Sequence, residues 1–353
     1  MERLQILNRH LSPKVTFEDF PNARILTLNR PKSLNSLDYE MLQTISLLVD
    51  QTPNKHFVIQ GSIPKSFSAG GDVVATIENP RMVPEFYRTE LSTIYQIYKQ
   101  STETLAILRG FAIGAGNGVA MACKYRISTE TTRFSMPENS IGLVPDVGAS
   151  YFLTHLPSKA LGLYLMLTGK VLSGNDLYWT GIATHYVPEA SIPNFLNDIK
   201  SSNSLLEVLN KYHQLPTRED SNLIKNLHEI EQVFGDVNTL EEVLMKLSSN
   251  PTPFKEQTFA AICKLCPLSV KVAFKSFKLG LSKNFKEALE HDYNIEVQLC
   301  YRRSYNYTTA ITKKFVEKVK EEIKWYPEHI NQVTDEMVDT IIRNPEGPFL
   351  HLQ

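Results

Sequence analysis

The sequence predicts an α/β protein, on three observations. Short apolar runs at 56–60, 104–109 and 124–128 read as strands and alternate with stretches of helical periodicity. Residues 15–20 and 23–29 alternate in polarity and are broken by Pro21-Asn22, which predicts a hairpin. Beyond about residue 195, turn signals thin out and helical patterns dominate.

In chain order, the hairpin is followed by a helix from Asp38 to Val49. Leu37, Met41, Leu42, Ile45 and Leu48 recur at helical spacing there, and Asp38 and Glu40 in the first turn suit the positive end of the helix dipole. The C-terminal part predicts helices over 203–212, 220–233, 239–248, 255–265, 267–280, 284–300 and 309–324, with Pro327 ending the last long one. Asn250-Pro251-Thr252-Pro253 reads as an internal linker, because proline cannot continue a helix. By pattern the chain divides into a short leader over 1–14, a core over 15–195 and a helical region over 196–353.

With 353 residues, 42% of them hydrophobic and 21% charged, the chain is long enough to bury a substantial core. Its apolar runs all fall well short of the roughly 20 residues that span a bilayer, so no membrane-embedded role is expected. Cys123, Cys263, Cys266 and Cys300 are too few and scattered for a disulfide framework, and buried, reduced thiols are expected. The nine histidines are dispersed without metal-ligand spacing, so no metal is assigned. The formal net charge is −1, yet residues 255–324 carry 12 Lys and 2 Arg against 8 acids. Lys271, Lys275 and Lys278 share a helical face there, read first as a solvated surface and otherwise as a contact for CoA phosphates or RNA. Met1 to Leu11 is faintly amphipathic and basic, as a mitochondrial presequence is, although it is short and contains Glu2.

Residues 136–152 carry the chemistry. Glu138 and Asp146 lie eight residues apart, each directly after a proline, with Gly142 and Gly148 downstream. Proline restricts its predecessor to extended backbone, so Met136 and Val144 should lie outside helix interiors and the acids should project from turns. Paired carboxyls suit acid/base work when burial and mutual repulsion push their pKa values apart. Singly, each pair also fits a plain helix start or turn. Two glycine clusters add weight: Ser68-Ala69-Gly70-Gly71-Asp72 and Gly114-Ala115-Gly116-Asn117-Gly118 each follow an apolar strand-like run. The second precedes a helical pattern, so its amides should sit at a helix N-terminus, where unpaired N–H groups favour negative charge. Two such amides from separate loops are able to hold a developing thioester oxyanion; tight turns with close backbone packing are the other reading.

Four motifs occur in a recognisable order: Leu26 to Asn35, Phe67 to Asp72, Gly110 to Gly118, and Met136-Pro137-Glu138. Together they resemble the crotonase (enoyl-CoA hydratase/isomerase) superfamily. Ile141 to Gly148, Leu167-Thr168-Gly169 and Gly181 to Val187 are similar to its 3-hydroxyisobutyryl-CoA hydrolase branch, over about residues 15–300. The resemblance implies a crotonase ββα superhelical core with a helical C-terminal region. It implies oxyanion-hole amides at Gly71 and Ala115, active carboxylates at Glu138 and Asp146, and a substrate-contacting acid at Glu90. Gly118 stands where hydratases of the family carry a catalytic glutamate, which argues against simple hydration.

The implied reaction is hydrolysis of a short branched 3-hydroxyacyl-CoA thioester in valine breakdown. Glu138 attacks the carbonyl or activates water, Asp146 positions the hydroxyl or the water, and CoA is part of the substrate, so no separate cofactor is needed. Mitochondria are the implied compartment, with cytosol next, and homo-oligomerisation is left open. Departures are Ala115 for the family's glycine, Arg109-Gly110 for His-Gly, Gly148-Ala149-Ser150 for three glycines, and Thr308 to Thr312 in place of a Glu-Gly-Val-Arg-Ala stretch. His185 matches a family pattern and is expected to be a packed or capping residue. Two alternatives stand beside the hydrolase: a structural subunit of the mitochondrial small ribosomal subunit, and a hydratase or isomerase with altered chemistry.

Overall fold

A computed structural model describes residues 14–52, 54–344 and 346–352; the expected presequence lies outside them. The chain packs as two units that interleave along the sequence. The first comprises residues up to Gly71, Ser92–Phe134 and Leu172–Ser221, and the second Asp72–Leu91, Ser135–Val171 and Asn222 onward. The segments 15–195 and 196–353 are divisions by sequence pattern, whereas these units are divisions by packing.

The first unit is built on a six-stranded sheet in the order β1-β2-β3-β5-β7-β10. Its strands are β1 Val15–Asp19, β2 Ala23–Leu28, β3 His56–Gly61, β5 Thr104–Leu108, β7 Tyr125–Ser128 and β10 His185–Tyr186. The expected hairpin pairs Val15 with Leu28 and Asp19 with Arg24 in antiparallel register. The remaining neighbours are parallel, and β5 is buried at every position, as parallel strands covered on both faces are. Ile25, Val58, Leu105, Ile107 and Ile127 pack with Ile192, Phe195, Leu205 and Leu209 from helices Ile192–Ile199 and Leu205–Tyr212. A smaller sheet joins β4 Ser66–Ser68, β6 Phe111–Ile113, β8 Arg133–Ser135 and β9 Leu172–Ser173.

The predicted helix at Asp38 forms as Tyr39–Asp50, with the Asp38 side chain accepting from the Met41 amide. Its C-terminal end is tied to β2 by Arg24, which is buried. The guanidinium donates to the Leu48 and Gln51 carbonyls at 3.2 and 3.1 Å and to Thr52 Oγ1 at 2.9 Å. The same group forks onto both Asp19 oxygens at 2.9 and 2.8 Å, so every buried donor edge meets an acceptor.

The second unit is helical. Lys159–Thr168 is buried nearly all round and packs on Leu227–Phe234 and Pro267–Gly280, with Tyr164 edge-on to Phe234 at 5.3 Å. Helices Leu240–Ser248, Pro253–Cys263, Pro267–Gly280 and Phe285–Glu296 fall where periodicity predicts them. Pro251-Thr252 does link two of them, and Thr252 caps the second. Three expectations are corrected. The helix over 220–233 is two, Asn222–Lys225 and Leu227–Phe234, parted at Asn226. The helix over 284–300 keeps α pitch to Glu296 and widens to π pitch over Val297–Arg302.

The largest correction is at 309–324. Helix Tyr305–Ile311 passes into a π turn at Thr312–Val316 and stops, so Pro327 ends no helix. Residues 317–322 are all exposed, and a stretch without an apolar face gains nothing from packing to hold it helical. The last helix is instead Asp335–Arg343, capped by Thr334 and buried through Val338 and Ile341.

The lysine stripe is not an open solvated face either. Lys271 pairs with Glu241 at 2.8 Å and donates to the Val333 carbonyl at 3.1 Å. Lys275 pairs with Asp339, and Lys278 donates to the Val237 carbonyl at 2.8 Å. These ammonium groups are anchors within the second unit. Of the cysteines, Cys123, Cys266 and Cys300 are buried and Cys263 is exposed against expectation, all four being unpaired. No single described helix is long and apolar enough to cross a membrane; one pair, Pro253–Cys263 and Pro267–Gly280, reaches that length jointly but is bent by 112°.

Candidate active site

The glycine clusters meet within the first unit. Ala69 donates to the Leu34 carbonyl at 3.0 Å and Leu37 to the Gly70 carbonyl at 2.8 Å, which aligns Leu37 with Gly71 in a parallel bridge. Gly70 has φ +95°, and a Cβ there would lie 3.2 Å from the Ile113 carbonyl oxygen and 3.7 Å from the Ala115 nitrogen. The backbone leading into Gly71 therefore lies against the Ala115 amide. Ala115 is the first residue of helix Ala115–Met121, with Gly114 before it at φ 53°. First-turn amides have no partner inside their own helix. Gly116 allows the close approach, since a Cβ would meet that of Ser68 at 2.5 Å.

The carboxyls gather within the second unit. Met136 and Val144 lie outside helices, as the following prolines require. Pro137 leads into a single 3₁₀ turn, Glu138–Ile141, so Glu138 both opens a helical turn and is buried. Asp146 sits in the tight turn before helix Ala149–Phe152, also buried. In that turn Val147 has φ +50°, uncommon for a β-branched residue, and Gly148 has φ +88°. Glu90 joins the pair from helix Val83–Tyr98 and is 1% exposed.

Electrostatics tie the three together. Burial, then the Asp146 charge, push Glu138 well above the usual carboxyl range, and Glu90 adds to it. Glu90 rises for the same two causes, burial and Asp146. Asp146 is raised by burial to about 7, with a side-chain hydrogen bond to Glu296 opposing the rise. Burial and like charge thus hold both carboxyls of the pair above the ordinary carboxyl range. Glu138 Oε2 and Glu90 Oε1 are buried with no protein hydrogen-bond partner, which leaves acceptors free for a reacting molecule.

Sequence reasoning missed two of the five acids in this cluster. Asp292 and Glu296, one turn apart on helix Phe285–Glu296, stand behind the Asp146 turn, and both are buried. Asp292 Oδ2 accepts the Gly148 N–H at 2.7 Å, and its Oδ1 faces Ser150 Oγ at 3.5 Å. Tyr87 donates to Cys300 Sγ at 3.3 Å, and Tyr307 shares a 2.8 Å hydrogen bond with Thr76. A signal existed: Phe285, Ala288, Leu289, Asp292, Glu296 and Leu299 form one helical stripe, so two acids interrupt an otherwise apolar face. His185 is packed, edge-on to Tyr125 and His213 at 5.9 and 5.5 Å, and burial lowers its basicity. Among the described residues no group of three or more His, Cys, Asp or Glu is arranged to hold a metal ion.

The family model for enoyl-CoA hydratase/isomerase matches residues 23–342. The chain is 32% identical over 362 residues to the mitochondrial 3-hydroxyisobutyryl-CoA hydrolase of Xenopus tropicalis, covering 96% of this chain and 93% of the relative. It is 32% identical over 328 residues to the mitochondrial 3-hydroxyisobutyryl-CoA hydrolase of Homo sapiens, covering 88% and 84%. It is also 31% identical over 357 residues to 3-hydroxyisobutyryl-CoA hydrolase 1 of Arabidopsis thaliana, covering 94% and 92%. Among solved structures, a carnitinyl-CoA dehydratase from Mycobacterium thermoresistibile superposes with a TM-score of 0.87 at 26% identity, covering 94% of this chain and 96% of that one. An enoyl-CoA hydratase from Rhodobacter sphaeroides gives 0.82 at 26% identity, covering 93% and 97%. The chain therefore belongs to the enoyl-CoA hydratase/isomerase family, alongside its 3-hydroxyisobutyryl-CoA hydrolase members.

Proposed function

We propose that this protein hydrolyses the thioester of a short branched 3-hydroxyacyl-CoA, 3-hydroxyisobutyryl-CoA above others, releasing the hydroxy acid and free CoA. The observation that carries the reading is the buried Glu138–Asp146 pair, both acids raised above the ordinary carboxyl range, in a chain similar over nearly its whole length to hydrolases of that name. Once deprotonated, Glu138 is the general base: its burial makes it a stronger base than a solvated glutamate, and it takes a proton from the attacking water. Asp146, when ionised, accepts a hydrogen bond from that water or from the substrate 3-hydroxyl, and Glu90 serves as a further substrate contact. The Gly71 and Ala115 amides have the role of stabilising the oxyanion, a contribution of roughly 3–4 kcal/mol per donor in well-studied cases. Collapse of the tetrahedral intermediate breaks the C–S bond, and the thiolate recovers a proton from the Glu138 carboxyl. The reaction calls for no separate cofactor, because CoA arrives as the substrate's handle.

Glycine at 118 leaves no second carboxylate in the helix Ala115–Met121, so hydration is the weaker reading. The anchored Lys271, Lys275 and Lys278 remove one motive for the ribosomal alternative. We place the activity in mitochondria, in keeping with relatives named as mitochondrial. The test is incubation of purified protein with 3-hydroxyisobutyryl-CoA and a thiol-trapping reagent. Free CoA should appear with the native protein and fall by about two orders of magnitude or more with Glu138→Gln, the scale of a lost general base. Equal CoA release by the two proteins would sink the proposal.

A further inference from the structure

We propose that Asp292 is a positioning residue for the reaction: by holding the Gly148 N–H it fixes the turn from which Asp146 meets the attacking water or the substrate hydroxyl. The inference rests on the hydrolase reading and adds to it a residue that acts through another.

The turn is a conformation that needs support from outside. The Ala149 N–H donates to the Asp146 carbonyl at 2.8 Å and closes a four-residue turn whose two central residues, Val147 and Gly148, have φ +50° and +88°. Glycine adopts such angles freely, whereas a β-branched valine does so only where its surroundings impose them. The Gly148 carbonyl accepts from the Tyr151 and Phe152 amides at 2.9 and 3.0 Å and so starts the helix Ala149–Phe152. The Gly148 N–H finds its acceptor far along the chain: Asp292 Oδ2, 144 residues on, at 2.7 Å and buried. Asp292 Oδ1 faces Ser150 Oγ at 3.5 Å, so one carboxyl spans the turn and the start of the helix after it.

The helix that carries Asp292 is a firm mount. Phe285 and Asp292 are seven residues apart on Phe285–Glu296 and share one of its faces. A Cβ on Gly148 would collide with the Phe285 ring, so that ring is packed directly on the glycine that Asp292 holds. A Cβ on Gly280 would likewise collide with the Ser150 carbonyl, which puts the end of helix Pro267–Gly280 against the same segment. Packing sets how near the turn lies, and the hydrogen bond, being directional, sets how its peptide is rotated. Asp146 is two residues from Gly148 and buried, so a rotation of that peptide is passed on to the Asp146 carboxyl. The contact does not depend on the charge of Asp292, because an oxygen of the ionised or of the neutral acid accepts an N–H. Rate is steeply sensitive to such placement: a shift of about 1 Å costs on the order of a hundredfold.

The test is steady-state hydrolysis of 3-hydroxyisobutyryl-CoA by the full chain in native, Asp292→Asn and Asp292→Ala forms, with kcat expressed per folded molecule from circular dichroism at the assay temperature. Arg24→Met, in the first unit, is the control for lost stability alone, and its kcat per folded molecule should match the native value. Asparagine keeps an acceptor for the Gly148 N–H and offers an NH₂ to Ser150 Oγ, so its kcat should stay within about threefold of native. Alanine keeps neither, so kcat and kcat/KM should fall together by about tenfold to a hundredfold while KM moves by less than about threefold. A merely structural role would leave the alanine kcat per folded molecule at the native and control value; that result, or a loss in asparagine as large as in alanine, overturns the proposal. Should the alanine variant not fold, Asp292→Leu, which fills the space of the carboxyl without an acceptor, takes its place with the same expectation. Should neither fold, the native protein decides: the Gly148 amide must exchange its hydrogen no faster than amides inside helix Phe285–Glu296, and faster exchange overturns the proposal. No CoA release by the native protein would overturn the hydrolase reading and this proposal with it, whereas release by the native protein with an unmoved alanine variant overturns this proposal alone.

Discussion

Replacing Asp292 separates its hydrogen-bonding role from its charge. Asp292 is buried, and burial followed by the Asp146 charge pushes its carboxyl well above the usual range, against the Gly148 N–H bond that favours the charged form. Asp292→Asn preserves an acceptor of nearly the same shape and should cost under about 1 kcal/mol. Asp292→Ala leaves the Gly148 N–H, now bonded at 2.7 Å, without a partner in a buried turn. An orphaned buried donor costs roughly 1–3 kcal/mol. The same turn holds Val147 at φ +50°, which is paid for by its surroundings at about 1–2 kcal/mol. Relaxing that strain would offset the loss rather than add to it, so the alanine variant should lose roughly 1–3 kcal/mol. Urea unfolding of the full chain reads this as a lower midpoint with an unchanged slope. Equal stability of the alanine and asparagine variants would refute the reasoning, because it would mean that the 2.7 Å contact holds nothing in place.

Three further outcomes follow from the geometry. Glu90, Glu138, Asp146, Asp292 and Glu296 all bind protons more tightly when folded than when unfolded. Their contribution to stability is full below about pH 4 and is lost as pH rises through the folded values, near 7 for Asp146. Thermal midpoints should accordingly fall from pH 5 to pH 8, and a rise would contradict the cluster; the lowered carboxyls Asp19 and Asp339 act in the opposite sense, below about pH 4. Gly148→Ala forces a Cβ to 2.4 Å from the Phe285 ring at φ +88°; a loss of at least about 2 kcal/mol in the same unfolding assay is expected, and a silent substitution would show that the turn is free to relax. Arg24→Met removes the donor to the Gln51 carbonyl and one partner of Asp19, which keeps Lys55 at 3.6 Å, so it should destabilise by about 1–3 kcal/mol, with circular dichroism on heating as the check and a shift within error as the refutation.

Local rules made much of the fold legible. Pro21-Asn22 between alternating runs becomes a hairpin, and Asp38 before an apolar stripe becomes an N-cap, because turn chemistry and periodicity act over a few residues. The loops around Gly71 and Ala115 stand out by their glycine clusters, and Glu138 and Asp146 by the prolines before them. What periodicity could not weigh was whether a helical pattern would find something to pack on. Residues 317–322 carry a helical pattern with no buried face and stay unwound, while Asp335–Arg343 is short but gains Val338 and Ile341 as anchors.

By itself the sequence determined the α/β class, the opening hairpin, the helix after Asp38, the helices between 239 and 296, and that Glu138 and Asp146 leave turns after prolines. These depend on near neighbours along the chain and on steric limits that proline and glycine impose wherever they stand. Only the tertiary structure decided that Asp292 and Glu296 stand behind Asp146, that three lysines of one stripe are anchors, and that burial and like charge raise both Glu138 and Asp146. Each of those outcomes depends on which groups are brought together across scores of residues, and on how much water is excluded when they meet: burial and like charge set proton affinity, and neither exists until the chain has folded.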